Sequence, residues 1–388
     1  MTAIDLLNLK PFSKSSEHNL FAELRQMPGL FFNAEPDGAG FWSATRYADV
    51  SAAARNHQLF ISGQGTQIKN RRAEGHGAPS VHNSDAPLHG KLRSVVMPGL
   101  SRTAIESRQD QFSDIVDHLL ETAPQGEHFD FVEAIAVKLP MLVIAVMLGV
   151  PSDEAPLLVD WANLMSDVNA SNAEQARARA HLFDYFRSLA KRKRIEPSGD
   201  IASILVSAEL EDAPLEQQIL DAYFMLLTVA GNETTRFLLT GGLAQLLRQD
   251  AYQDLRKNPA LIPTTIEEMC RFVSPVTHMR RTVAEDTQLS GTALKKGDKL
   301  VLWFSSANRD GSFFDTPDQL VLDRKPNPHI GFGGGAHFCL GAHLARYETK
   351  LFLEALTQRI SRFELLSEPE RLASNWFTGW TSMMVRWS

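Results

Sequence analysis

One cysteine stands on a glycine-rich loop, Phe332-Gly333-Gly334-Gly335-Ala336-His337-Phe338-Cys339-Leu340-Gly341, directly before a helical pattern. Glycines tolerate positive φ and close backbone approach, so a flat cofactor can lie against such a loop. From Gly341 onward, Ala342, Leu344, Ala345, Leu351, Phe352, Ala355 and Leu356 recur at helical spacing, which puts Cys339 at a helix N-terminus. Free N–H groups there favour thiolate over thiol. An anionic sulfur ligand donates electron density to iron and favours O–O cleavage more than neutral imidazole does. Cys339 is therefore read as a metal or haem ligand. Three other readings share these residues. Gly331-x-Gly333-x-x-Ala336 meets a loose dinucleotide-binding fingerprint, but Asn327-Pro328-His329 precedes it where a long apolar strand is needed. His337, Cys339 and His343 offer zinc ligands without the fourth that a structural site uses. A buried, inert cysteine on a turn is the plainest alternative.

A second group with chemical content is Ala230-Gly231-Asn232-Glu233-Thr234-Thr235. It interrupts the longest helical pattern of the chain, which runs from Leu215 to Gln249 without proline and would reach about 50 Å as one helix. The stretch Ala222 to Ala230 is apolar on nearly every side, so protein should surround it. Gly and Thr are both costly in mid-helix, and a carboxylate beside two hydroxyls in a buried segment points to function. The alternative is an ordinary Glu233 to Arg236 pair, with Thr234 bonded to the carbonyl one turn back.

The elements that must position these groups follow from the rest of the chain. Short strand patterns, Leu30 to Asn33 and Gly40 to Ser43, flank a turn at Pro36-Asp37-Gly38. Helical patterns dominate from Arg46 onward. His128 to Gly149 reads as an apolar helix kinked or divided at Pro140, and Pro151-Ser152-Asp153-Glu154 as a turn opening the next one. The run Lys191-Arg192-Lys193-Arg194 reads as the solvated end of another helix. Helices should fill about 85–275 and 341–360, with β-rich parts near the N-terminus, over 282–302 and over 361–388. No linker, repeat or low-complexity tract divides the 388 residues, so one mainly α unit with a small β-rich part (α+β) is expected across 1–388. With 39 basic and 46 acidic residues the net charge is −7, which argues against nucleic acid as a partner. The two cysteines, Cys270 and Cys339, give no disulfide framework and fit a reducing cytoplasm. Met1 to Phe12 lacks the basic and apolar segments of a signal peptide, and no membrane anchor is expected.

The cysteine loop resembles the haem-binding loop of the cytochrome P-450 family: phenylalanine, three glycines, histidine, cysteine and glycine stand in the family's order and spacing. The resemblance implies the P-450 fold, with a long central helix over haem b (iron protoporphyrin IX). On that likeness Cys339 is the axial ligand to the haem iron, Phe332 packs beside the sulfur, His337 bonds a propionate, and Gly341 belongs to the cofactor site. Ala230 to Thr235 resembles the family's oxygen-side helix motif. Ala230 and Gly231 would then open a groove, with Thr234 the hydroxyl that helps deliver protons to O2 and Glu233 the carboxylate of the relay. In Asp85-Ala86-Pro87-Leu88-His89-Gly90-Lys91-Leu92-Arg93, His89 and Arg93 share a helix face and resemble propionate-gripping residues. Arg281 matches a further propionate arginine on a strand, since buried carboxylates need such partners. Glu268 and Arg271, too common a pattern to mean anything alone, resemble the family's core pair and are given a folding role, with Cys270 as core. Relatives carry an arginine where this chain has Gln319, followed by Leu320, and Arg324 is the substitute at hand.

The same resemblance implies a haem-thiolate monooxygenase of the bacterial type that hydroxylates a hydrophobic small molecule. O2 is the co-substrate, and two electrons come from NAD(P)H through a ferredoxin and a ferredoxin reductase, because the chain has no room for a flavin or nicotinamide domain. Ala230, Val276, Thr277, Trp376, Phe377 and a loop from Gly63 to Asn83 are expected to line the substrate pocket. The Ala-Gly-Asn-Glu-Thr-Thr form is similar to that in sterol- and branched-lipid-oxidising relatives and points to a sterol, terpenoid or other lipid-like substrate. A haem-dependent peroxygenase and a non-catalytic haem sensor or carrier are the other classes. The Glu233 and Thr234 pair argues against the first, and product formation with added ferredoxin separates the second.

Overall fold

The computed structural model describes residues 4–69, 78–167 and 170–388. Its organising element is the helix Gln217–Arg248, 32 residues long and so about 48 Å. Leu220, Phe224, Leu227, Phe237, Leu239 and Leu243 are buried around most of its circumference, as a helix enclosed by protein requires. It packs against Leu139–Leu148 and Ile262–Val273. The cysteine loop feeds the helix Ala342–Arg359, which lies against both Ile262–Val273 and Gln109–Thr122. Loop and central helix are thereby tied to the same scaffold helix.

A five-stranded sheet runs in the order Phe31–Asn33, Phe41–Ala44, Lys299–Trp303, His278–Val283, Phe60–Ile61. The pairing of Lys299–Trp303 with Phe41–Ala44 is parallel and its other neighbour antiparallel, so the N-terminal segment is stitched to the segment carrying Arg281. Ser290 and Gly291 close the hairpin Thr287–Leu289 and Thr292–Leu294; both residues have positive φ, 48° and 78°, as a tight hairpin turn demands. A three-stranded sheet joins Phe363–Leu365, Met384–Trp387 and His128–Asp130.

One expectation holds only in part. His128 to Gly149 is divided just before Pro140, into the short helical segment Val132–Ala136 and the helix Leu139–Leu148, but its first residues pair as a strand with Met384–Trp387 and Pro140 lies in the first turn of Leu139–Leu148. A proline there loses no helical hydrogen bond, so it starts this helix instead of kinking it. The Lys191 to Arg194 run ends the helix Asn172–Ile195 as expected, with Lys191, Arg192 and Arg194 exposed, and it also forms ion pairs. Arg192 forks onto Glu154 at 2.7 Å through each of two nitrogens, and Lys193 reaches Asp200 at 2.5 Å. Among the described residues, no helix is long and apolar enough to cross a membrane.

Candidate active site

A cavity of about 260 Å³ separates the cysteine loop from the middle of the central helix. Phe332, Gly333, His337, Phe338, Cys339 and Gly341 line one side of it, and Ala230, Gly231, Thr234 and Thr235 another. The loop's shape is enforced by Gly335, with φ +64°, where a Cβ would come 2.5 Å from the Ala54 carbonyl oxygen. Only glycine tolerates that conformation and that approach. The Cys339 N–H donates to the Phe332 carbonyl at 2.9 Å, and Gly341 is the N-cap of Ala342–Arg359. The sulfur therefore sits at the helix start that the spacing predicts, and the surface it leaves open is cavity wall. Burial pushes the Cys339 thiol up, opposed by the Gly341 N–H and by the charges of Arg93 and Arg346.

Four of the expected residues converge at one edge of the cavity: His89, Arg93, Arg281 and His337. The two imidazoles lie 4.1 Å apart between ring centroids. Burial, then the nearby arginine charges, lowers His337 to about 3, and burial lowers His89 as well, so both rings are neutral. Arg281 is lowered to about 10 by burial and stays a cation. Arg93 donates to the Phe338 carbonyl at 2.8 Å and Arg281 to the Arg280 carbonyl at 2.9 Å. Neither forms an ion pair among the described residues, and His89 Nε2 is buried without a partner. Two cations and an orphaned ring nitrogen at one edge form a receptor for carboxylates.

Across the cavity, a Cβ at Gly231 would come 2.6 Å from Ile144 Cδ1, so any larger residue there would push that side chain aside. The Thr234 hydroxyl donates to the Ala230 carbonyl at 2.6 Å, the bond one turn back that a mid-helix threonine makes. Its side chain nonetheless faces the cavity. Glu233 is not among the lining residues; it is half-buried and its charge acts on Arg236. Val276 lines the cavity as expected, whereas Thr277, Trp376 and Phe377 are not among the lining residues. Val276 and Phe377 form an isolated β-bridge, and the Thr277 hydroxyl meets that of Thr378 at 3.1 Å, so this turn backs the wall. From the loop 63–83, Thr66, Val81 and His82 reach the lining, and residues 70–77 of it lie outside the described residues.

Glu348 is a lining residue that the motif reading missed. It accepts from the Thr235 hydroxyl at 2.7 Å through Oε1, while Oε2 is buried without a partner. Burial raises its pKa to about 8, so it is protonated at neutral pH. A signal was available: Leu344, Glu348 and Phe352 stand at i, i+4 and i+8, which places an acid on the apolar face of the helix.

Glu268 and Arg271 are fully buried and joined by two hydrogen bonds of 2.7 and 2.8 Å. Arg324 donates to both Glu268 oxygens at 2.9 and 3.0 Å and so fills the place left by Gln319, which contributes its carbonyl to Arg271 at 2.9 Å.

Comparison with known proteins agrees with this geometry. The family model described as Cytochrome P450 matches residues 248–384. Linalool 8-monooxygenase of Pseudomonas putida is 34% identical, with 98% of each chain covered. Methyl-branched lipid omega-hydroxylase of Mycobacterium bovis is 35% identical over 90% of this chain and 85% of its own. The solved structure of Mycobacterium marinum cytochrome P450 CYP268A2 in complex with pseudoionone superposes with a TM-score of 0.89 at 31% identity, covering 96% of this chain and 95% of that one. The chain belongs to the cytochrome P450 family and is a P450 monooxygenase.

The family implies haem, and the residues present fit it. A cysteine at a helix start, a carboxylate receptor at one edge, and a glycine and an alanine on the opposite helix bound one continuous cavity.

Proposed function

We propose that this protein hydroxylates a hydrophobic, lipid-like molecule of terpenoid, sterol or branched-lipid type. It uses O2 and two electrons passed from NAD(P)H through a ferredoxin reductase and a ferredoxin, in a cytoplasm that keeps such carriers reduced. The observation that carries this reading is the lining itself. Leu100, Ile144, Leu226, Leu227, Leu238 and Val276 make an apolar chamber beside the cysteine, with few polar groups to orient a guest. Two relatives are named for their action on linalool and on methyl-branched lipids, and the third has pseudoionone bound; all belong to this chemistry.

In this reading Cys339 would hold the haem iron through its sulfur, with Phe332 beside it and Gly341 at the helix start, and His89, Arg93, Arg281 and His337 would hold the carboxylates of the haem. When bound, haem with a thiolate ligand supplies the activation of O2 and the oxidation of a C–H bond. The chain's own part is positional and protonic. Ala230 and Gly231 leave the groove open. Thr234, already donating to Ala230, presents its hydroxyl oxygen to the cavity as an acceptor. Glu348 holds a proton inside the apolar chamber, one hydrogen bond from Thr235, and Glu233 supplies carboxylate outside it.

The test is reconstitution of the haem-loaded enzyme with a bacterial ferredoxin, its reductase, NAD(P)H and ¹⁸O-labelled O2, against linalool, a sterol and a methyl-branched fatty acid. One labelled oxygen atom in a hydroxylated product is expected for at least one of the three. NAD(P)H consumption without labelled product from any of them, or product formed only with peroxide, would sink the reading.

A further inference from the structure

Behind the cysteine loop stand three charged or titratable side chains that line no part of the cavity: Glu267, His329 and Arg346. Arg346 grips Glu267 with two hydrogen bonds, Nε to Oε1 at 2.6 Å and a terminal nitrogen to Oε2 at 2.8 Å. His329 Nε2 lies 3.1 Å from the same Oε2, and its Nδ1 accepts the Gly331 N–H at 3.2 Å. An Nδ1 that accepts leaves the proton of the neutral ring on Nε2, so His329 donates to Glu267. Arg346 then lays its guanidinium over the Phe332 ring, 4.4 Å from the centroid, with the His329 ring 5.8 Å from the same centroid. Phe332 is the residue whose carbonyl accepts the Cys339 N–H. Three elements, the helices Ile262–Val273 and Ala342–Arg359 and the loop, thus converge to fix one guanidinium behind the cysteine.

We propose that Arg346 is a positioning residue whose charge raises the electron affinity of the haem centre through the Phe332 and Cys339 segment, and that Glu267 sets the size of that effect. The inference rests on Cys339 being the haem ligand. A cation near an anionic sulfur favours the electron-richer state of the iron, and a carboxylate opposes it. Both partners are about one-third exposed, 32% each, so solvent screens the effect without abolishing it.

The experiment is a spectroelectrochemical titration of the haem-loaded, full-length enzyme and its Arg346→Gln, Arg346→Lys, Glu267→Gln and Arg346→Gln/Glu267→Gln variants, each first checked by its carbon monoxide spectrum. At a fixed applied potential, Arg346→Gln should lower the ferrous to ferric ratio by roughly threefold or more, and Glu267→Gln should raise it. Arg346→Lys should stay near wild type, the double variant should return toward it, and raised salt should shrink both shifts. A purely structural role would move both single variants the same way. Shifts of the same sign, or none, in proteins with thiolate-type spectra overturn the inference. A wild type without a thiolate-type spectrum would instead remove the ligand assignment beneath it. Should Arg346→Gln not fold, Glu267→Gln decides alone, since an unchanged or lowered ratio contradicts the proposal.

Discussion

Two buried glutamates in this molecule have opposite surroundings. Glu268, in the scaffold helix, accepts hydrogen bonds from Arg271, Arg324, Asn327 and the Val321 N–H. Glu348, one helix away, has a single threonine hydroxyl for company and an oxygen with no partner at all. Charge that is matched on every side holds elements together and takes no part in proton traffic. A carboxyl left alone in an apolar wall stays neutral, at a cost in stability, and keeps a proton beside the cavity.

The difference is broken most severely from the paired side. Glu268→Ala leaves Arg271 as an uncompensated buried cation and exposes Arg324 to the same loss. It should cost about 3–5 kcal/mol, read as a drop in the denaturation midpoint and as failure to retain haem. A variant of wild-type stability would show that the network is dispensable.

From the unpaired side the effect is a pH dependence. Glu348 titrates near 8 in the folded protein against a usual value of 4.5, so between those limits the native state holds a proton that the unfolded chain has released. The stability this site contributes is complete below pH 4.5 and is lost as pH rises to 8, at about 1.4 kcal/mol per pH unit. Glu348→Gln should remove that slope from urea melts taken between pH 5 and 8. An identical slope in the variant would mean the carboxyl is not buried alone.

A smaller effect is expected at Thr234, whose deletion removes no charge. Thr234→Ala should leave haem content unchanged and lower product formed per NAD(P)H on the order of tenfold, with peroxide rising in its place. Unchanged coupling would take Thr234 out of the proton path.

What could be read from the sequence follows the same division. The cysteine loop, the His89 and Arg93 helix face and the Glu268 to Arg271 spacing are local patterns, and each falls where its spacing places it. Arg324 was also within reach, because the departure at Gln319 leaves a buried carboxylate that needs another cation. Glu348 stands on the apolar face of its own helix, but that position does not say that the central helix meets it with one threonine hydroxyl and no cation. Trp376 and Phe377 were expected one layer too far forward, since the β-bridge that turns them behind Val276 joins segments distant in the chain. The strand His128–Asp130 was hidden for the same reason: its partner Met384–Trp387 lies at the other end of the sequence.

The claim on which the rest depends is that Cys339 binds haem iron as a thiolate. The carbon monoxide difference spectrum of the dithionite-reduced, haem-loaded protein tests it most directly. The red-shifted Soret band of a thiolate-ligated haem is the expected result, and its loss in Cys339→Ser would tie the band to this residue. An imidazole- or thiol-type band from freshly purified, folded wild type would contradict the account.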